Sequence, residues 1–86
     1  MRLRSEFVAH DAGGEWVLVP VGGAGFSGIV RGNRTLGDIL TLLRDDVTEE
    51  EIVAGMRGRY DAPVGAIEHD VAQALAELRR IGALDE

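Results

Sequence analysis

The chain has 86 residues, enough for one small domain and too few for two, so we expect a single domain over residues 1–86. It contains no cysteine, which excludes disulfides, thiolate metal clusters and thiol nucleophiles and makes a cytoplasmic location the default expectation. The apolar runs fall far short of the roughly 20 residues that cross a bilayer, and the first residues lack the apolar region of a signal peptide.

The charge balance narrows the expected partners. Nine arginines, no lysine and fifteen acidic residues give a formal net charge of -6. Nucleic-acid-binding surfaces usually carry a basic stripe, because contacts with phosphates supply most of the affinity. Here only Arg79 and Arg80 are adjacent, with Glu77 and Asp85 nearby. We therefore expect neither nucleic acid nor an anionic membrane surface as a partner.

The first part of the sequence is typical of β-strands. Most of the β-branched and aromatic residues and eight of the twelve glycines lie in residues 1–37. Three strands are predicted, over residues 7–11, 15–19 and 26–31. A Gly-Gly pair marks a tight turn between the first two, and the glycine-rich run at 22–25 connects the second to the third.

The remainder is rich in Ala, Leu and Glu and predicts three amphipathic helices. Capping-box spacing starts the first helix at Thr35, and the TEEE motif at 48–51 is a full capping box for the second. The third is predicted over about 65–80, with Gly82 as its C′ residue. The apolar stripes at helical spacing are Leu36, Ile39, Leu40 and Leu43; Ile52, Val53, Met56 and Tyr60; and Ile67, Val71, Ala74, Leu75, Leu78 and Ile81.

This order of strands and then helices predicts an α+β fold and argues against a parallel βαβ sheet. We expect a winged helix-turn-helix-like domain, with a three-stranded antiparallel sheet followed by three helices.

The sequence contains few groups of residues that match a known catalytic or metal-binding pattern. The two His-Asp pairs, at 10–11 and 69–70, join sequence neighbours, which neither a strand nor a helix turns toward each other. The glycine-rich run lacks the Lys-Ser/Thr ending of a phosphate-binding loop and opens a strand rather than a helix. We therefore interpret the protein as a non-enzyme with no cofactor and no metal site.

The second predicted strand is apolar on both faces, with Trp16 and Leu18 on one side and Val17 and Val19 on the other. Two interpretations remain open. Either the N-terminal segment covers the second face, or that face binds a partner.

The third predicted strand is expected at an edge of the sheet. Its GIVR segment, residues 28–31, carries neither the Pro nor the Lys that usually blocks pairing. An unpaired edge can accept another extended chain, with main-chain hydrogen bonds supplying affinity and side-chain pockets supplying selectivity. The alternatives are an edge that is simply solvated and one that is closed by a second copy of the chain, as in a homodimer.

The order of these elements resembles that of the PqqD-like proteins over roughly residues 15–85. The best-matching pieces are RGN at 31–33, TEEEI at 48–52, Tyr60, DV at 70–71, Leu78 and GAL at 82–84. Two departures concern the entry to the first helix. Gly32 stands where the family often has Leu before the Asn, and the Gly that follows the Asn comes late, at Gly37.

PqqD-like proteins are peptide chaperones, or recognition elements, of pathways that modify ribosomally synthesised peptides (RiPPs). The resemblance implies that the leader segment of a precursor peptide adds as an antiparallel strand beside the third strand, in a groove walled by the third helix. The domain would then present the peptide to a modifying enzyme, frequently a radical SAM enzyme. The implied peptide-binding residues are Gly28, Ile29, Val30 and Arg31 on the strand and Asp70, Gln73, Ala74 and Glu77 on the helix. Val71, Leu75 and Leu78 are assigned to the core, and Arg31 is a candidate partner for an acidic leader residue.

Two other functions remain open from the sequence. A winged-helix regulator that binds nucleic acid would share the topology, but residues 65–78 contain no Arg for a recognition helix. A structural subunit could dock onto a larger enzyme through the Trp16/Leu18 face or the Val17/Val19 face.

Overall fold

The computed structural model describes residues 1–22 and 28–86, which form five strands and three helices. The strands are β1 (Arg2–Leu3), β2 (Phe7–Ala12), β3 (Glu15–Pro20), β4 (Val30–Gly32) and β5 (Leu84–Asp85), and the helices are α1 (Arg34–Leu42), α2 (Glu49–Arg57) and α3 (Ala66–Arg80). Strands β2, β3 and β4 form a three-stranded antiparallel sheet in that order. The expected mixed α+β class, with a three-stranded antiparallel sheet and three helices, is confirmed.

The β2–β3 hairpin follows the prediction closely. Its turn places Gly13 at φ 69 and Gly14 at φ 93, in the left-handed region that favours glycine. The Asp11 carboxylate accepts a hydrogen bond from the Gly14 N–H at 3.0 Å. The pairing extends to Pro20, one residue beyond the predicted end of the strand, and joins Pro20 to Phe7.

The third strand of the sheet is shorter than predicted and lies later in the chain. Only Val30–Gly32 pair with β3, whereas Gly28 and Ile29 precede the strand. Gly28 adopts φ 129, a conformation open chiefly to glycine. The predicted connection and strand start also include residues 23–27, which lie outside the described residues.

A second, two-stranded sheet joins the two ends of the chain and was not predicted. Strand β1 pairs antiparallel with β5, and the Leu3 N–H donates to the Leu43 carbonyl at 3.0 Å. The first residues therefore lie against β5 and the end of α1. They do not lie over the second face of β3, where Val17 and Val19 remain half-buried.

Of the predicted N-caps of α1 and α2, the one at α2 is confirmed and the one at α1 is wrong. At α2 the predicted capping box is present, because the Glu51 N–H donates to the Thr48 hydroxyl at 3.1 Å and the Thr48 N–H donates to the Glu51 carboxylate at 3.0 Å. At α1 the N-cap is Asn33 rather than Thr35, and its side-chain oxygen accepts from the Leu36 N–H at 3.2 Å. The earlier cap brings α1 directly after β4.

The third helix begins and ends close to its predicted bounds. It runs from Ala66 to Arg80, and Gly82 after its end adopts φ 74, as expected of a C′ glycine. Val71, Leu75 and Leu78 are buried, which confirms their assignment to the core.

One hydrophobic core lies between the sheet and the helices. Its buried members are Phe7, Leu18, Ile39, Leu40, Leu43, Ile52, Met56, Val71, Leu75, Leu78, Ile81, Ala83 and Leu84. Every helix and the strands β2, β3 and β5 supply at least one buried residue, while Leu3 of β1 and Val30 of β4 pack against the cluster half-buried. The core thereby fixes β4 and the start of α1 on the same side of the molecule as α3.

Candidate functional site

The free edge of β4 is the first element of the site. Val30, Arg31 and Gly32 pair with Leu18, Val17 and Trp16 of β3, which uses one side of the strand. Within residues 1–22 and 28–86, no strand pairs with the other side. A short row of backbone N–H and C=O groups at β4 is therefore available to another extended chain.

A cleft begins where β4 ends and runs between α1 and α3. This α1–α3 cleft has a volume of about 220 Å³ and is lined by Asn33, Thr35, Leu36, Ile39, Asp70, Gln73 and Ala74. One wall is the first turn of α1, which the Asn33 cap sets directly after Gly32. The other wall is one face of α3, where residues at i, i+3 and i+4 lie side by side.

A smaller cavity continues the cleft toward the loop between α2 and α3. This Tyr60 pocket, of about 160 Å³, is lined by Thr35, Met56, Tyr60, Asp61, Ala62, Ile67, Asp70 and Val71. Thr35 and Asp70 line both cavities, so the cleft and the pocket adjoin. Met56 and Val71 are buried in the core, so the accessible apolar surface of the pocket comes from half-buried residues such as Ile67 and Tyr60.

A hydrogen-bonded group holds the wall of the pocket in place. The Tyr60 hydroxyl donates to the Asp38 carboxylate, whose other oxygen accepts from the Arg59 guanidinium at 3.0 Å. The hydrogen bond to the Asp38 carboxylate, followed by burial of the ring, raises the pKa of Tyr60 above its usual value. Tyr60 is therefore a neutral, fixed wall at physiological pH.

The structure brings three of the four helix residues implied by the resemblance into one cleft. Asp70, Gln73 and Ala74 all line it. Glu77, one turn further on, does not line either cavity. Instead its carboxylate accepts from Arg80 at 2.9 Å, which holds the pKa of Glu77 below its usual range.

The four strand residues fall into two pairs. Gly28 and Ile29 are exposed and precede β4, with Ile29 56% exposed. Val30 packs inward against the core and pairs with Leu18. Arg31 lies on the opposite face of the sheet, paired with Val17, and its guanidinium is 3.8 Å from the Glu15 carboxylate.

The sequence prediction missed the residues that complete the cleft. Asn33, Thr35 and Leu36 line it from α1, and Tyr60 and Asp61 extend it at the far end. A signal was present in the Gly-Asn pair that ends the strand, because Asn is a favoured N-cap residue. The predicted site instead took its residues from the third strand and the third helix alone.

Residues 1–22 and 28–86 contain no group of three or more His, Asp or Glu side chains placed to hold a metal ion. His10 lies on β2 and His69 on α3, and neither lines the α1–α3 cleft or the Tyr60 pocket. None of the described helices has the length and hydrophobicity to cross a bilayer.

Comparison with known families decides the classification. The protein-family model for coenzyme PQQ synthesis protein D (PqqD) matches residues 15–84. The chain belongs to the PqqD family. A search of curated proteins finds no match.

A solved structure has the same fold. It is described as TbiB1 in complex with the TbiA(beta) leader peptide, and it matches with a TM-score of 0.74 and 21% sequence identity. The match covers 99% of this chain and 100% of the other. The arrangement of strands and helices is therefore shared with that structure.

The departure of this PqqD-family chain at the entry to α1 has a packing reason. A Cβ added to Gly32 would lie 2.2 Å from Leu36 Cδ2 and 2.8 Å from Leu36 Cβ. Leu36 thus occupies the space that a side chain at position 32 would need, and a Leu before the Asn would not fit beside it.

Proposed function

We propose that this PqqD-family chain binds the leader segment of a ribosomally synthesised precursor peptide by strand addition at β4. The main observation behind this proposal is that no strand of the described residues pairs with the second side of β4. This free edge opens beside the α1–α3 cleft. The likeness to a protein solved with a leader peptide supports the same class of ligand.

The site suits an extended peptide better than a compact ligand. A strand edge offers main-chain hydrogen bonds that do not depend on peptide sequence, and the adjoining cleft can select particular side chains. The cleft and the Tyr60 pocket, of about 220 and 160 Å³, are each below the roughly 300–1,000 Å³ of small-molecule sites. Peptide-binding residues in this proposal are Gly28, Ile29, Val30 and Arg31 together with Asp70, Gln73 and Ala74; Glu77 is left out because it lines neither cavity and is paired with Arg80.

The proposed role is non-catalytic. The chain holds the leader and presents the rest of the precursor to a peptide-modifying enzyme of the cytoplasm, such as a radical SAM enzyme. Its fold supports presentation, because a leader paired at the sheet edge leaves the following residues of the precursor free to enter another active site.

Nucleic-acid binding is the less favoured function for this fold. The arginines of α3 are both at its end, where Arg79 pairs with Glu86 at 3.0 Å and Arg80 with Glu77. The preceding turns of α3 expose Asp70 and His69 and contain no arginine. Such a helix lacks the basic stripe that contacts phosphates.

Strand addition can be tested with peptides whose backbone nitrogens are methylated along one edge of the extended chain. The leader segments of short peptides encoded beside this chain are synthesised in three forms: unmodified, N-methylated at odd positions, and N-methylated at even positions. A β-strand directs alternate N–H groups to opposite edges, so only one methylated series removes the hydrogen bonds to β4. We expect one series to lose binding in a fluorescence-anisotropy titration and the other to retain it.

The two methylated series control for each other, since they have the same composition and the same number of methyl groups. Equal affinity of both series, or binding that neither modification weakens, would contradict strand addition.

A further inference from the structure

The α1–α3 cleft and the Tyr60 pocket form one continuous depression, and the charged groups that line it are all negative. Asp61 and Asp70 are the charged residues that line it, and both are exposed. Neither carboxylate forms an ion pair with any residue in the described ranges. No arginine of the described residues lines either cavity.

The arginines of the neighbouring elements do not neutralise this charge. Arg59 pairs with Asp38. Arg57 lines an adjoining hollow together with Asp61, but its guanidinium pairs with Glu68, which lines the same hollow. Arg34, at the first position of α1, acts on the Tyr60 hydroxyl through its charge but lines neither cavity. The depression therefore presents two uncompensated carboxylates to whatever enters it.

Apolar surface lies beneath these carboxylates. Ile67 and the Tyr60 ring are half-buried and line the Tyr60 pocket, whereas Met56 and Val71, which also line it, are buried in the core and expose almost nothing. At about 160 Å³ the pocket is the size of a side chain rather than of a small-molecule site. Lysine and arginine side chains match this arrangement, because their aliphatic stems lie along apolar surface while the charged end reaches a polar rim.

We infer that the bound leader places a lysine or arginine side chain in the Tyr60 pocket, with its stem along Ile67 and the Tyr60 ring and its charge beside Asp61 and Asp70. This inference rests on the proposed function and adds to it the chemistry that the site selects. Complementary charge at such a rim discriminates between partners and contributes a modest share of the affinity.

The topology also gives the position of this basic residue in the leader. Strand β4 runs toward Asn33 and the cleft, so a peptide antiparallel to β4 has its N-terminal part at the cleft. The basic residue therefore precedes the residues that pair with β4. A basic residue placed after the pairing segment would lie at the other end of the strand, away from both carboxylates.

A selection with random peptides tests this chemistry for leaders of any sequence. A phage-displayed library of random 16-residue peptides is selected in parallel on the immobilised full chain, on the Asp61→Asn/Asp70→Asn double variant, on each single variant, and on Asp45→Asn, which is the control matched in charge to the single variants. Asp45 is exposed, lies in no ion pair among the described residues and lines neither cavity, so its substitution changes net charge alone. Peptides enriched on the wild type and on the control should carry Lys or Arg before a β-prone stretch, and the double variant should lose this bias.

The strongest enriched peptide is then synthesised and titrated. Each Asp→Asn substitution should weaken binding about two- to fivefold, the range of an exposed ion pair. The difference should disappear in 1 M NaCl, where charges are screened beyond about 3 Å. The control Asp45→Asn should bind within about twofold of the wild type, since a distant exposed charge is screened.

The outcomes separate this inference from the proposed function. Enriched peptides that perturb the backbone amides of β4 but show no basic preference overturn the inference and leave leader binding intact. An equal loss of affinity in the double variant and in Asp45→Asn overturns it as well. Failure to enrich any peptide overturns both proposals.

Discussion

Trp16 of β3 lies directly against Gly37 of α1. A Cβ at position 37 would come within 2.1 Å of the indole Nε1, well inside van der Waals contact. This close approach sets the distance between the sheet and the helix that forms one wall of the α1–α3 cleft. The geometry of the site therefore depends on a glycine within a helix, a position that normally costs stability relative to alanine.

Gly37→Ala should destabilise the fold despite its better helix propensity. Alanine in an exposed helix position gains about 0.5–1 kcal/mol over glycine, but overpacking against Trp16 costs about 1–3 kcal/mol. Chemical unfolding should show a net loss of stability. The matched control is Gly58→Ala at the end of α2, where the added Cβ meets no atom nearer than 3.5 Å and the backbone is at φ -69. Equal effects of the two substitutions would contradict the close approach of Trp16 and Gly37.

Gly32 and Leu36 should show coupled effects on stability. Gly32→Ala alone should cost about 1–3 kcal/mol, because its Cβ overlaps the Leu36 side chain. In a Leu36→Ala background the overlap with Cγ and Cδ2 is removed, so the cost should fall by at least about 0.5 kcal/mol. A double-mutant cycle from urea unfolding measures this difference. Additive costs would mean that Leu36 does not occupy the space above Gly32.

Asn33 should behave as the N-cap of α1, and Thr35 should not. Asn33→Ala removes the oxygen that accepts from Leu36 N–H and should cost about 0.5–2 kcal/mol. Asn33→Asp keeps an acceptor at the same place and should retain most of the stability. If Asn33→Ala is neutral in thermal unfolding while Thr35→Ala is costly, the helix begins at the later residue instead.

Tyr60 should make stability depend on pH in the alkaline range. Its pKa is raised in the folded protein by the Asp38 carboxylate, so the folded state holds the proton more tightly than the unfolded state. This contribution is complete below the unfolded pKa of about 10 and is lost as the pH rises through the higher folded pKa. The chain has a single tyrosine and neither lysine nor cysteine, so Tyr60 is the one side chain with an ordinary pKa near 10.

The free energy of unfolding, measured in urea from pH 8 to pH 11, should decline at the alkaline end in the wild type. In Tyr60→Phe, which retains the ring and lacks the hydroxyl, the curve should be flatter. An identical decline in both proteins would show that Tyr60 does not carry the effect.

The helices and the hairpin could be predicted from the sequence because their signals are local. The TEEE capping box and the Gly-Gly turn each act within a few residues, and the structure confirms both. The apolar spacing of α3 likewise placed Val71, Leu75 and Leu78 in the core. Each of these features is fixed by hydrogen bonds or periodicity inside one element.

The features that were missed depend on contacts between distant parts of the chain. Strands β1 and β5 have two residues each, too few for any periodicity, and pair across nearly the whole sequence. The space above Gly37 depends on Trp16 of the hairpin, which no local pattern reveals.

Some residues of the candidate site could likewise be predicted from local spacing, and others could not. Asp70, Gln73 and Ala74 share a helix face and could be grouped from their spacing, and the structure places all three in the cleft. Glu77 has similar spacing but lies beyond the cleft, where it pairs with Arg80. Asp61 lies in a loop and lines the Tyr60 pocket rather than the cleft, next to Tyr60, whose hydroxyl donates to Asp38 of α1.

The central claim is that β4, rather than the rest of the sheet, receives the peptide. The sheet has a second edge strand, β2, which serves as an internal comparison. The most direct measurement is backbone amide hydrogen exchange, resolved by residue, with and without a saturating leader peptide that binds the chain. We predict new protection at those amides of residues 30–32 whose N–H groups face away from β3, together with amide shifts in α3 near Asp70, while Phe7–Ala12 is unchanged. Protection at Phe7–Ala12 with none at residues 30–32 would contradict it.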